Sequence, residues 1–294
     1  MKKYTLQQFN AEYSDDNACL DKLYKLRFTG LVCPKCESEK EFTRVNDRRS
    51  YQCPCCGFQV YPTAGTIFHK STTSLKVWFH AIYMQTTTRN GVSAKELERT
   101  FDICYKTALR MAHQIKMLMA NESVEPLTGI VETDETFIGG KSSFMHESKR
   151  AKLSRNGNGL SHIVPLVAIV QRDGEVRTTI IEEANKENLY PNIEKNISKE
   201  AILVTDGLNA YNEIGRTFIK HESVSHGNGE YVRGQWHTNT VEGFFSQLKR
   251  TIKGTHIHVS KRHLQKYADE VAFRYMNRDR QNEMFNLVLA RVAS

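Results

Sequence analysis

The sequence predicts a protein of mixed α/β class, and three features of its pattern lead to that prediction. Two Cys-x-x-Cys pairs lie close together near the N-terminus, a helix-rich stretch follows them, and strands joined by short turns dominate after residue 129. The last part reads as three strands joined by hairpins, then helix, strand, helix, strand and helix, which is the element order of an RNase H-like domain. We therefore expect a mixed five-stranded sheet with flanking helices, preceded by a zinc ribbon and a helix-turn-helix.

Composition narrows the class of protein further. The chain has 294 residues, of which 39% are hydrophobic and 25% charged, and this excludes a disordered tail protein or a collagen-like repeat. No apolar run is long enough to cross a bilayer and no signal-peptide core follows Met1, so we expect a cytoplasmic protein without a membrane partner. The formal net charge of +8 favours a polyanionic partner, above all nucleic acid.

An N-terminal helical segment is predicted for residues 1–30, with Ser14 or Asp15 as the N-cap of its main helix. The zinc ribbon is predicted for residues 31–70, because short strands lie between the two cysteine pairs.

The cysteines indicate one structural Zn²⁺ ion. Five of the seven fall between residues 33 and 56 and form two pairs, Cys33 with Cys36 and Cys53 with Cys56. Tetrahedral Zn²⁺ takes four thiolates, of which each pair supplies two, and such a site leaves no open position for catalysis. Cys55 is the spare residue of the second pair, and we choose Cys53 and Cys56 because they repeat the spacing of the first pair. Four reduced core thiols are the alternative.

Residues 71–120 are interpreted as a helix-turn-helix DNA-binding region. One helix follows Ser93, which forms a capping box with Glu96, and the next starts near Asp102. The outer face of this second helix is predicted to carry cations that suit DNA phosphates: Lys106, Arg110 and Lys116. A merely solvated helix face is the alternative.

A linker is predicted at residues 121–129, where Pro126 and Gly129 interrupt the pattern. The RNase H-like domain is predicted at residues 130–277 and a C-terminal helix at residues 278–294. Strands are expected near 129–138, 162–171, 175–182, 201–205 and 219–225, and helices near 186–197, 208–214 and within 239–292.

Three acids of this domain are expected to meet. Asp134 lies in its first strand, Asp206 at the end of its fourth, and Glu242 near the start of the following helix. First and fourth strands are neighbours in this topology, so both aspartates lie side by side and Glu242 reaches them from the covering helix. Converging carboxylates need a cation, and hard oxygen ligands suit Mg²⁺ or Mn²⁺. Two such ions, about 3.5–4 Å apart, support an in-line phosphoryl displacement.

Two neighbouring acids, Glu132 and Glu135, are open alternatives to Asp134. Side chains alternate along a strand, which sends Glu135 to the opposite face and places Glu132 one pleat away from the metals. We therefore expect replacement of Glu132 or Glu135 to have a much milder effect than replacement of Asp134.

Three segments resemble a known family. Residues 134–140 (Asp-Glu-Thr-Phe-Ile-Gly-Gly), 205–207 (Thr-Asp-Gly) and 237–250 (His-Thr-Asn-Thr-Val-Glu-Gly-Phe-Phe-Ser-Gln-Leu-Lys-Arg) resemble the DDE transposases of bacterial insertion sequences. The most similar group has an N-terminal zinc ribbon and is related to the eukaryotic Merlin elements. The resemblance extends from Cys33 to about Asn277 and is most specific in the last segment.

The resemblance implies a metal-dependent recombinase. Such a protein binds the terminal inverted repeats of its element, hydrolyses the strand ends and joins the freed 3′-hydroxyls to target DNA, as at least a dimer on the DNA ends and associated with the nucleoid when active. Asp134, Asp206 and Glu242 then take the triad roles, and the 35 residues between the last two suit the family's interval. Some relatives carry Asn or His where others have the third acid, so Asn239, on the same helix face, is a second candidate.

Further cations are predicted to contact DNA. Residues 140–160 carry five Lys or Arg and one acid, for a net charge of +4, and form a long hairpin with Lys149, Arg150 and Lys152 near its middle. Lys249 shares the helix face of Glu242 and suits a phosphate near the metals, although a solvated helix lysine is the alternative. Arg250 and Lys253 continue the basic track into residues 251–266, which contain no acid.

Two other functions fit parts of the pattern. A zinc-ribbon and helix-turn-helix regulator would bind DNA while its C-terminal domain only forms oligomers. An RNase H-fold nuclease would cleave DNA without joining ends. Incubation with Mg²⁺ and DNA distinguishes the three, because the regulator leaves DNA intact and the nuclease releases unjoined products.

Overall fold

The computed structural model describes residues 4–121, 123–139, 146–148, 151, 163–224, 229–230 and 232–292. The chain forms two compact units, one made of Met1–Met119 with Asp279–Ser294 and the other of Ala120–Arg278. The chain therefore leaves the first unit once and returns to it at its C-terminal end. Among the described residues, no helix is long and apolar enough to cross a membrane.

The first unit is mainly helical. Its helices are α1 (Leu6–Glu12), α2 (Asp16–Phe28), α3 (Leu75–Thr87), α4 (Ala94–Phe101), α5 (Tyr105–Met117) and the C-terminal helix (Met284–Ala290). Asp15 is the N-cap of α2, because its side chain accepts hydrogen bonds from two backbone N–H groups of the first turn. Ser93 caps α4 in the same way by accepting from the backbone N–H of Glu96.

The turn between α4 and α5 differs from the prediction. Asp102 has φ +48° and ends α4 in a left-handed conformation, so α5 begins only at Tyr105. Lys116, predicted on the outer face of α5, is fully buried instead (0% exposed). Residues four apart share a face of a helix, and Lys116 lies on the same buried face of α5 as Ala112, whereas Met117 beside it is 54% exposed.

Aromatic rings join the C-terminal helix to the start of the chain. Phe285 is 1% exposed. Its ring centroid lies 5.7 Å from that of Phe9, 5.6 Å from that of Tyr13 and 6.3 Å from that of Tyr83. Such ring pairs contribute beyond the area they bury. The last helix is thus part of the core of the first unit.

The ribbon has three short antiparallel strands, β1 (Thr43–Val45), β2 (Ser50–Gln52) and β3 (Gln59–Val60), in the order β1-β2-β3. Tyr51 of β2 stacks on Tyr24 of α2, with ring centroids 3.9 Å apart. An ion pair of 3.2 Å between Arg44 and Asp21 joins the neighbouring strand β1 to α2 as well. The ribbon is therefore packed on α2.

The second unit is built on a five-stranded mixed sheet, as predicted. Its elements are β4 (Ile130–Ile138), β5 (Val164–Gln171), β6 (Val176–Ile180), α6 (Lys186–Asn196), β7 (Ile202–Asp206), α7 (Asn209–Ile214), β8 (Lys220–Val224), α8 (Asn239–Thr251), a π-helix (Ile252–His256) and α9 (Leu264–Met276). The strand order is β6-β5-β4-β7-β8. The β6–β5 and β5–β4 pairs are antiparallel, and the β4–β7 and β7–β8 pairs are parallel.

Helices cover both faces of this sheet. In β5, Leu166, Ala168 and Val170 belong to a core shared with α8 and α9, whereas Val167 and Ile169 belong to a core shared with α6 and α7. A strand that is buried on both faces needs apolar residues at consecutive positions. This explains the uninterrupted apolar run of β5.

The outer strand β6 is covered by a side chain of α9. Its Ile180 N–H donates to Gln265 Oε1 at 3.1 Å, and Gln265 Nε2 donates to the Thr178 carbonyl at 2.9 Å. The amide of Gln265 therefore pairs with backbone groups of β6 as a neighbouring strand does.

Candidate functional site

The two aspartates meet where strands β4 and β7 run side by side. The parallel register pairs Thr133 with Thr205, which places the next residues, Asp134 and Asp206, at the same level. Carboxylate oxygens of Asp134, Glu135 and Asp206 all lie within 4.8 Å of one another. Asp206 is the last residue of β7, and ligand sites of open α/β sheets collect at such strand ends.

Backbone groups hold both aspartates. Asp134 Oδ1 accepts a hydrogen bond from the N–H of Glu135 at 2.7 Å. Asp206 Oδ1 accepts one from the N–H of Leu208 at 3.0 Å, at the turn into α7. Each carboxylate therefore has one oxygen held by a backbone N–H group one or two residues later in the chain.

Glu135, which the sequence offered only as an alternative to Asp134, lies beside Asp134 and Asp206. It faces α7, as alternation predicts, and its Oε1 accepts a 2.7 Å hydrogen bond from the hydroxyl of the fully buried Tyr211. Where the neighbouring strand β7 ends, the carboxylate of Glu135 nevertheless reaches those of Asp134 and Asp206. The alternation rule gives the face of the sheet but not the proximity of side chains at its edge. Tyr211 gave no signal in the sequence, since an aromatic residue in a short helix usually only fills the core.

The electrostatics of the three acids favour a cation. Burial raises the pKa of Glu135 to about 7, and the negative charges of Asp134 and Asp206 add to that rise. Crowded carboxylates of this kind are stabilised by a divalent ion, and an all-oxygen donor set suits Mg²⁺ or Mn²⁺. The residues present thus fit such an ion.

Glu242 of α8 lines a cleft to which Asp134 also contributes. The lining of this cleft includes Asp134, Glu135, Glu242 and Lys249. The structure therefore brings Glu242, the third predicted acid, and the predicted Lys249 to the same cleft as Asp134. Among the described residues, Glu242 does not belong to the group of acids whose carboxylate oxygens lie within 4.8 Å of one another. Asn239, the second candidate, is exposed in the first turn of α8 and is not among the residues that line the cleft.

Glu132 was considered as an alternative to Asp134, but its carboxylate contacts the start of α8 instead. It is fully buried and accepts hydrogen bonds from Thr240 N at 2.8 Å, Thr240 Oγ1 at 2.8 Å and Val241 N at 3.1 Å. Thr238, the N-cap residue of α8, makes no side-chain cap. A carboxylate from β4 therefore caps the helix that carries Glu242, and its charge suits the positive end of that helix.

Arg172 completes this arrangement. Its Nε donates to Glu132 Oε1 at 2.7 Å. Its two terminal nitrogens donate to the carbonyls of Gln235 at 2.8 Å and His237 at 3.1 Å. One arginine thus ties the buried carboxylate to the chain that leads into α8.

Replacement of Glu132 is therefore expected to be severe rather than mild. Glu132→Ala leaves Arg172 and two backbone N–H groups of α8 without their acceptor, and loss of one partner of a buried pair costs about 3–5 kcal/mol. Urea unfolding of the purified variant measures this loss. Glu200→Ala, which removes an exposed acid, is the control and is expected to change stability by less than about 0.5 kcal/mol. Equal unfolding midpoints for Glu132→Ala and the wild type contradict the capping role.

The four predicted cysteines form a second cluster. Sγ atoms of Cys33, Cys36, Cys53 and Cys56 lie within 4.8 Å of one another. Cys55 is exposed, and its Sγ lies 3.3 Å from Ser38 Oγ, outside the cluster. Four thiols at this spacing fit a closed structural Zn²⁺ site.

The two loops that present these cysteines share one geometry. Glu37 N donates to the Cys33 carbonyl at 2.8 Å, and Gly57 N donates to the Cys53 carbonyl at 2.9 Å. Both donor residues have positive φ, +56° for Glu37 and +72° for Gly57, a conformation that glycine adopts without strain. The repeated Cys-x-x-Cys spacing thus corresponds to a repeated turn.

Apart from the buried Lys116, the predicted DNA-contact residues that the structure describes are exposed. Lys106 and Arg110 are exposed on α5, and Lys249, Arg250 and Lys253 are exposed on α8 and the π-helix after it. Lys149, Arg150 and Lys152 lie outside the described residues.

Comparisons with known proteins agree with both clusters. Residues 126–276 match the family described as ISXO2-like transposase domain, and residues 14–59 match the family described as transposase zinc-ribbon domain. The chain is also similar to an uncharacterized protein in the transposable element ISH50 of Halobacterium salinarum. The two are 31% identical over 248 residues, which cover 81% of this chain and 83% of that protein.

Proposed function

Because the chain belongs to the ISXO2-like transposase family, we propose that it is the transposase of an insertion sequence. In this proposal it binds the terminal inverted repeats of the element, cleaves the DNA strands there and joins the freed ends to target DNA. The observation that carries the proposal is the meeting of Asp134 in β4 with Asp206 at the end of the adjacent strand β7, with Glu242 in the cleft that Asp134 lines.

Asp134, Asp206 and Glu242 are proposed to hold two Mg²⁺ or Mn²⁺ ions, and Asn239 is the second candidate for the third ligand. When bound, such ions activate a water or a 3′-hydroxyl and stabilise the leaving oxygen of a phosphoryl displacement. Burial, together with the nearby charges of Asp134 and Asp206, raises the pKa of Glu135 to about 7, and the closeness of these three carboxylates supports a cation site. Lys249, in the same cleft, is proposed to position a DNA phosphate by charge.

DNA recognition is proposed to use both units. The ribbon with its one Zn²⁺ ion, and Lys106 and Arg110 on α5, bind the element end. Arg250 and Lys253 extend the contact beyond the cleft. An element has two ends, so at least two copies of the chain are proposed to act together on them.

A cleavage assay tests the function. Purified protein is incubated with Mg²⁺ and a plasmid that carries the two ends of the element, taken from the DNA that flanks the gene. We expect nicks at the ends and joining of those ends to a second plasmid. Binding without nicks indicates a regulator, and nicks without joined products indicate a nuclease, so either outcome rejects the transposase.

The basic segment 140–160 is proposed to contact phosphates. Replacing Lys149, Arg150 and Lys152 together by Ala is expected to lower the slope of log binding constant against log salt by about one unit per lost phosphate contact. Titrations at several salt concentrations measure this slope. Replacing Lys186, Lys195 and Lys199 removes the same charge elsewhere and serves as the control. An unchanged slope with loss of sequence preference means that the segment reads bases.

A further inference from the structure

The turn that follows α8 has a backbone geometry that proteins rarely adopt. The helix continues into the five-residue π-helix Ile252–His256, and π-helical segments are rare and are frequent at functional sites. Ile257 comes next, with φ +63° and ψ −55°. The N–H of His258 donates to the carbonyl of His256 at 2.6 Å. Together these values describe a γ-turn with positive φ, the strained form of that turn.

The residue at the centre of this turn is poorly suited to it. A β-branched side chain at positive φ is a genuine outlier. Ile257 is also 83% exposed, which makes it the most exposed large apolar side chain among the described residues. Strain and exposure both oppose folding, and strained residues persist chiefly where they serve a function.

The turn is anchored, so the position of Ile257 is fixed. The side chain of His256 is 6% exposed, and its Nε2 lies 3.9 Å from Oε2 of the fully buried Glu270. The ring centroids of His256 and Tyr267 lie 4.6 Å apart. Both contacts join the turn to α9, and Ile252 at the start of the π-helix is buried as well. Ile257 therefore projects from a rigid support.

The surroundings of Ile257 are cationic. Lys253, Lys261 and Arg262 are exposed, and no acid occurs between residues 251 and 266. A partner that matches this surface must carry negative charges around an apolar interior. Duplex DNA has this character, because its phosphates surround stacked bases. A single side chain is enough to enter a base step, whereas anchoring to a bilayer takes a larger apolar face.

We propose that Ile257 is an apolar wedge that enters between adjacent base pairs of DNA bound along α8 and unstacks them. The inference rests on the proposed function, because the DNA is the one held at the Asp134 cleft. Fifteen residues separate Glu242 from Ile257. At a rise of 1.5 Å per residue they span at most about 22 Å, so the disturbed step lies within roughly seven base pairs of the cleaved phosphate.

Fluorescence of 2-aminopurine measures the unstacking. The base is placed in turn at each of the seven positions next to the cleavage site, and the full-length protein is added with Ca²⁺ in place of Mg²⁺. We expect the wild type to brighten one position several-fold. Ile257→Ala loses this signal and Ile257→Leu keeps most of it. Ile219→Ala, which shortens another strongly exposed isoleucine (73% exposed), keeps all of it.

Stability measurements separate a wedge from a structural role. Glycine tolerates positive φ, so Ile257→Gly should melt no lower than the wild type and still lose the fluorescence signal. The salt slope of DNA binding should stay unchanged in Ile257→Ala, because no phosphate contact is removed.

Three results overturn the wedge. They are a full signal in Ile257→Ala, a signal lost only in variants that melt early, and an Ile257-dependent association with anionic vesicles that unstacks no base. Unstacking in Ca²⁺ without any cleavage in Mg²⁺ leaves the wedge standing and rejects the transposase. A chain that binds no element-end DNA rejects both.

Discussion

Asp134→Ala, Asp206→Ala and Glu242→Ala are each expected to abolish Mg²⁺-dependent cleavage and strand transfer while element ends are still bound. Each variant loses one of the three proposed oxygen ligands, so an ion that stabilises the developing charge would be misplaced or lost. That stabilisation amounts to several kcal/mol, and its loss slows the reaction by at least about a thousandfold. Single-turnover cleavage and a gel-shift assay on the same DNA measure the two effects.

Two further variants test whether Glu242 or Asn239 is the third metal ligand and whether Glu135 contributes to metal binding. Asn239→Ala should reduce the rate less than Glu242→Ala, and the reverse order means that Asn239 is the third ligand. Glu135→Gln keeps an acceptor for the Tyr211 hydroxyl but removes one charge beside Asp134 and Asp206. We expect it to raise the Mg²⁺ concentration for half-maximal cleavage by about tenfold. The exposed Glu200 again supplies the control, and a Glu200→Ala variant as slow as Asp206→Ala speaks against a local site.

Cys33→Ser and Cys56→Ser are expected to unfold the ribbon and abolish specific binding to element ends. Thiolate ligation of Zn²⁺ supplies folding free energy, about 10–16 kcal/mol in small zinc domains. One zinc ion per chain should copurify with the wild type and be lost from both variants. Residues 120–278 should keep their fold, which limited proteolysis detects as a resistant fragment.

Cys55 provides a matched control for the ribbon. It lies in the same loop as Cys56, but it is exposed and close to Ser38 Oγ rather than to the other thiols. Cys55→Ser should keep its zinc and its binding to DNA. A metal-free chain with full activity, or loss of zinc from Cys55→Ser, contradicts the assignment of the four ligands.

The sequence allowed prediction of features that depend on local spacing. The Cys-x-x-Cys pairs specify the turns that bring four thiols together, and strand order with strand ends predicts that Asp134 and Asp206 meet. The role of Glu132 was not predictable in this way. It depends on the N–H groups of Thr240 and Val241, more than a hundred residues later in the chain, and only tertiary packing brings them to β4.

Two other features could not be predicted from the sequence, for related reasons. Alternation assigns Glu135 to a face of the sheet, but its distance to Asp206 depends on where the neighbouring strand β7 ends. The apolar pattern of the C-terminal helix predicts that it packs on a hydrophobic core, but it does not say on which one. Its contact with Tyr4 and Phe9 depends on the chain returning to its first unit after Arg278.

The side chain of Gln265 has a consequence for aggregation. An outer strand with open backbone groups templates the addition of extended chains, including misfolded copies of the same protein. On β6 the amide of Gln265 already occupies Ile180 N and Thr178 O, so a foreign strand must first displace it and break two hydrogen bonds. Pairing of two copies of the chain through this edge is therefore less favourable than pairing through an open strand.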